Sequence, residues 1–146
     1  MPLQPPQTIC NALIGRSIDL QLLYRHAALR CEPGLRLVLC ENVHTLELLI
    51  ADLQEQLRAS GVEPREHGSW HGILQRHVAG WLVRSAARRD AAWVRALSHH
   101  ESALLHAFEQ AIERVPAESV LMLRRQLPRL HGIHLDMHSL VGSARY

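Results

Sequence analysis

Near its C-terminus the chain reads His131-Gly-Ile-His-Leu-Asp-Met-His138, three histidines in eight residues. Imidazole at this density belongs to a transition-metal ligand set, to a proton relay, or to a helix face that carries histidine for solubility. The direction of each ring decides which. Two other strings carry similar chemistry. Ser98-His-His-Glu101 places two imidazoles beside a carboxylate, and Glu41-Asn-Val-His44 has the Glu-x-x-His spacing of a di-iron helical bundle. Such a bundle takes Glu-x-x-His from two helices and one further carboxylate from each of the other two, all directed inward.

The elements that must position these groups are helices. Leu39, Val43, Leu46, Ile50, Leu53 and Leu57 recur at alternating steps of four and three, one apolar seam that Gly61 closes as a C-cap. An earlier seam runs through Leu13, Ser17, Leu20, Tyr24, Ala27 and Cys31, and Cys31-Glu-Pro-Gly34 predicts a tight reversal between the two. A third helix is expected from about Asp90 to Val115, with Trp93, Leu97, His100, Leu104, Phe108, Ala111 and Val115 as its seam. A fourth starts near Ala117 and carries Val120, Leu123, Leu127, Leu130, His134, Met137 and Val141, with Pro128 set to kink it. Between the second and third lies a connection over about 62–89, too long for a bundle turn and apolar enough to be partly helical. The expected fold is therefore all-α, a ferritin-like four-helix bundle with a long crossover between helices two and three. A tail over 1–10 precedes a single domain over 11–146.

On these helices the chemistry sorts by face. At about 100° per residue, Glu41 and His44 fall on the side of helix two away from its seam, so the Glu-x-x-His string points outward. His100 takes a slot in the third seam, Glu101 its flank, and His134 a slot in the fourth. Helices three and four reverse at Pro116, nearly midway between His100 and His134, which puts the three residues at one level. His131 and His138 lie nearer the surface, and His99 and His106 point outward. Asn42, Tyr24 and Ser17 are the polar residues on helices one and two close enough in face to join. Three readings remain open for His100, Glu101 and His134: a buried hydrogen-bonded cluster, a mononuclear or degraded dinuclear site for a transition metal such as Fe or Zn, and a proton-transfer or redox centre.

Composition narrows the class. Sixteen basic residues, all arginine, oppose 14 acidic ones, and they are interleaved, so no stretch forms a nucleic-acid stripe. Even Arg84-Ser-Ala-Ala-Arg-Arg-Asp90 reads as a solvated helix end. Cys10, Cys31 and Cys40 are odd in number and lack CxxC spacing, which argues against a disulfide framework. The N-terminal residues have no charged leader, and no apolar run approaches the roughly 18 residues of a membrane span. A soluble cytoplasmic protein is expected, with no nucleic acid and no membrane as partners. Trp70 and Trp81 read as clamps of the crossover onto the bundle.

Several stretches carry a resemblance. "NALIGRSIDLQLLYRHAA" followed by "CEPGLR", then "ADLQEQLRASGVEPREHGSWHGILQR", "DAAWVRALSHHESALLHAFEQAI" and "RRQLPRLHGIHLDMHSL" resemble an uncharacterised bacterial family of ferritin-like four-helix-bundle proteins, over nearly the whole chain from Asn11. Its most specific pieces are Gly68-Ser69 with Gly72, Leu74 and Arg76, and positions matching Glu101, Gln126 and His134. The resemblance implies the fold and metal chemistry. This chain departs from it at Gln75, where a histidine precedes the arginine in the family, and at Ser98, where a glutamate is expected one turn before Glu101.

The residues favour a non-catalytic helical module over an enzyme. Leu37 and Leu48 on helix two, with Ile14, Ile18, Leu22 and Leu29 on a second face of helix one, predict a homo-oligomer or a protein partner unless the crossover covers them. The alternative is a ferritin-like metal-binding protein or vestigial di-iron oxidase.

Overall fold

The computed structural model describes residues 5–68 and 86–143. It contains helices α1 (Pro6–Ala28), α2 (Pro33–Ala59), α3 (Ala86–Arg114), α4 (Ala117–Arg124) and α5 (Leu127–Ser143), and no strand among the described residues. Of these, α4 and α5 are two pieces of one fourth helix. The expected N-terminal tail is partly helix: Pro6 occupies the first turn of α1, where its missing N–H has no acceptor to lose, and Cys10 is already buried.

The reversal after α1 is built by Glu32. Its carboxylate accepts from the backbone N–H of Leu35 at 2.6 Å and of Gly34 at 3.0 Å, capping α2. Arg36 reaches back across the reversal, donating to the carbonyl of Ala28 at the end of α1 at 2.7 Å and to that of Cys31 in the turn at 3.2 Å. The far end of α2 closes as the sequence predicts: Gly61 adopts φ +79, and Val62 N–H returns to the Leu57 carbonyl at 3.0 Å.

The fourth helix breaks at Arg125–Gln126 rather than at Pro128 itself. Proline has no N–H to give the carbonyl four residues earlier, that of Arg124, and its ring crowds that carbonyl, so the ladder fails on the N-terminal side. α5 then restarts with Leu130 N–H on the Gln126 carbonyl at 3.1 Å.

α1 packs against α2 and α3, and α5 against α3 and α2. Glu32 N–H meets Asp90 near the start of α3, while Asn42 and Asp52 of α2 meet Met137 and Gln126 in reverse order. Neighbouring helices are thus antiparallel. Their shared interior holds Trp93, Phe108, Tyr24, Leu39, Leu46, Leu97 and Leu104, an aliphatic core with few aromatics. Ile14 belongs to it, so it is no outer-face residue. Residues 62–68 lie beside α1, with Asn11 accepting from Arg65 N–H at 2.8 Å and Pro64 buried. Ile18 and Leu22 are half-covered against the same core. Ser69, Trp70, Gly72, Leu74, Gln75, Arg76 and Trp81 lie outside the described residues.

A buried carboxylate and a rim imidazole as the candidate functional site

α3 borders both α1 and α5, so its inner face is wide enough to take Val94, Leu97, Glu101, Leu104, Leu105 and Phe108. Glu101 therefore lies fully inside, between Leu97 and Leu105 one turn to either side. The neighbouring residue His100, 100° further round, is only half-buried and sets its ring edge-on to His99 at 5.3 Å between centroids. This exchanges the two positions expected from the seam: the carboxylate is in the core and the imidazole on the flank.

His134 comes from α5 to meet Glu101. Its Nδ1 lies 2.9 Å from one carboxylate oxygen and 3.2 Å from the other, and with the carboxylate ionised Nδ1–H donates to both. The His134 side chain is 41% exposed, so it sits at the rim of the α3/α5 seam rather than within it. Its position beside Ile133, which is buried, explains the shift: α5 turns Ile133 and Met137 inward. His138 stacks beside His134 at 6.3 Å with 20° between ring planes, and both His131 and His138 are exposed as expected.

Helices α1 and α2 close the same level with neutral polar groups. The Tyr24 hydroxyl is buried beside the Asn42 amide but meets no partner in good hydrogen-bond geometry among the described residues, and that amide donates weakly to the Met137 sulfur at 3.7 Å. Ser17 does not join, because its hydroxyl turns to the Leu13 carbonyl of its own helix at 2.7 Å. Burial raises the Glu101 carboxyl above its ordinary range, and the hydrogen bond and charge of His134, the Ser102 hydroxyl and the charge of His131 act in the opposite direction. Burial likewise pushes the Tyr24 hydroxyl well up, with Glu101 and Asp136 adding to it and the Asn42 amide acting in the opposite direction.

Among the described residues the level thus holds one carboxylate, one imidazole, one phenol and one amide, each from a different helix. This falls short of the carboxylate set of a di-iron bundle, and among the described residues no three His, Cys, Asp or Glu side chains are grouped as metal ligands. Glu41 and His44 are exposed, as their angle predicts, and His44 approaches Glu47 at 3.8 Å. His99 and His106 face solvent. All three cysteines are free. Cys31 is a buried seam residue whose thiol is pushed up to about 12, first by burial and then by Asp90; Cys40 is exposed.

Two features lie outside the expected set. Asp52 on α2 receives the buried Gln126 amide at 2.5 Å, and Arg129 donates to the Gln126 oxygen at 2.7 Å and pairs with Asp52 at 3.6 Å. The resemblance marked Gln126, but its partner was missed; the signal was a lone acid beside Leu53 on the seam flank. The second is an apolar groove of about 310 Å³ at the α1/α2 reversal, lined by Arg25, Ala28, Leu29, Arg36, Cys40 and Val43. No helix among the described residues is long and apolar enough to cross a membrane. No family model, no curated protein and no solved structure matches this chain.

Proposed function

We propose that this chain is a non-catalytic, ferritin-like helical-bundle protein that pairs with a second copy of itself through the reversal end of α1 and α2. The observation that carries this reading is the apolar groove there, with Leu29 at its wall 74% exposed and Leu37, within one turn of Arg36 and Cys40, 70% exposed. Protruding leucines beside an apolar groove are self-complementary, because a two-fold axis brings the knob of each copy to the hole of the other. Large side chains left in water at this density otherwise cost the monomer its solubility. What supports the ferritin-like arrangement is the placement of helix ends. α2 ends beside Cys10 and Ser119, whereas Asp90 near the start of α3 meets Glu32 at the opposite end, the placement that a long crossover between the two helices calls for. Sedimentation velocity over a concentration series tests the pairing. A dimer is expected for the wild type and a monomer for the double variant Leu29→Glu, Leu37→Glu; a wild-type monomer at high concentration contradicts the reading.

A second reading, metal binding, is favoured by the convergence of Glu101 and His134 from two helices. A carboxylate and an imidazole suit Fe or Zn, with solvent filling the remaining positions. Elemental analysis of untagged protein tests it, and metal-free protein that also takes up none contradicts it.

A further inference from the structure

We infer that the rim of the α3/α5 seam is a two-histidine site for a divalent first-row metal ion, held by Nε2 of His134 and a ring nitrogen of His138, with Glu101 acting behind it as the carboxylate that orients His134. The inference deepens the metal-binding reading and moves the ion from the interior to the surface.

The argument starts from the tautomer. A neutral imidazole has one N–H and one lone pair, and the partner of the first decides where the second points. With Glu101 ionised and the ring neutral, the carboxylate oxygens at 2.9 and 3.2 Å from Nδ1 hold the proton there and leave Nε2 with its lone pair. A carboxylate on the far nitrogen is the arrangement that fixes ring orientation and raises ligand basicity in histidine metal sites. Glu101 is fully buried and cannot follow the ion outward, whereas His134 is 41% exposed and can present Nε2 to solvent.

The second ligand is one helical turn away. Residues four apart lie on one helix face, and the His134 and His138 rings stand nearly parallel at 6.3 Å on that face. His138 is exposed, so rotation about its side-chain bonds carries a ring nitrogen toward the same point without disturbing the core. Two imidazoles select Zn²⁺, Cu²⁺ or Ni²⁺ over Ca²⁺ and Mg²⁺, which require oxygen ligands. With two protein ligands, water completes the coordination shell.

The test is calorimetric titration of untagged full-length protein with zinc chloride, for the wild type and four single variants. One ion per chain is expected for the wild type. His134→Ala and His138→Ala each weaken binding by tenfold or more, Glu101→Gln weakens it roughly tenfold through loss of the orienting carboxylate, and His100→Ala leaves it unchanged. Helicity measured by circular dichroism confirms that each variant is folded, and His138→Ala, at an exposed position, keeps the test independent of stability. If His138→Ala binds like the wild type while His134→Ala or Glu101→Gln abolishes binding, the interior reading stands and the rim site is wrong. If none of the four changes binding, or if zinc does not bind, the rim site is equally overturned; in the second case the metal reading falls with it.

Discussion

Two polar layers cross this bundle, and they are finished to different degrees. Near the break in the fourth helix, Gln126 gives its amide to Asp52 and takes a hydrogen bond from Arg129, while Arg129 and Arg125 balance the Asp52 charge. Every group has a partner, and the one carboxylate lies between two guanidiniums. At the level of Asn42, about three turns along α2 from Asp52, Glu101 has His134, but the buried Tyr24 hydroxyl meets no well-formed partner among the described residues, and the imidazole stands half in water. Buried polar groups stabilise a fold when satisfied and weaken it when not. The first layer is a clamp joining α2 to the helix break; the second ends in a half-exposed imidazole.

Substitutions that break the clamp have the largest expected effect. Asp52→Ala leaves the Gln126 amide N–H without its acceptor and the Arg129 guanidinium without its ion pair, and should cost about 2 to 3 kcal/mol of stability in urea unfolding. A loss under about 0.5 kcal/mol contradicts the clamp. His134→Ala is the matching change in the other layer and should cost less, about 1 to 2 kcal/mol, because its ring is already partly in water. His134→Leu should recover part of that loss by covering Met137 and Leu130; recovery of none of it indicates that the Glu101 hydrogen bond is the whole contribution.

The contrast was only partly legible in the sequence. Gly61 announced the end of α2 because a left-handed residue after an apolar seam has few alternatives to glycine. Glu41 and His44 were placed outside by angle alone, since half a turn from a narrow seam is unambiguous. His100 and Glu101 were exchanged because the inner face of α3 spans two neighbours, α1 and α5, and a single seam drawn through Leu97 and Leu104 does not show which flank is covered. Gln126 and Asp52 are 74 residues apart, a separation at which helix period carries no information on partners.

Smaller effects sharpen the comparison. The folded Glu101 carboxyl lies above its unfolded value, so between the two the folded state holds the extra proton and stability falls as pH rises through that window. Glu101→Gln, which cannot ionise, should flatten this slope in thermal scans taken from acidic to neutral pH. An unchanged slope contradicts the burial of the charge. Smallest of all is Tyr24→Phe, which removes a hydroxyl with no well-formed hydrogen bond among the described residues. Its expected effect is neutral to stabilising by up to about 1 kcal/mol, and a clear destabilisation indicates that the hydroxyl has found one.

The claim beneath both the comparison and the rim site is the state of the His134 ring. Long-range proton–nitrogen correlation spectra of ¹⁵N-labelled protein at mildly alkaline pH read the tautomer of each imidazole directly. The account predicts His134 with its proton on Nδ1 and an unprotonated Nε2, opposite to the tautomer that free histidine prefers. A proton on Nε2 would contradict it, because Glu101 would then not be the acceptor and no lone pair would face the rim.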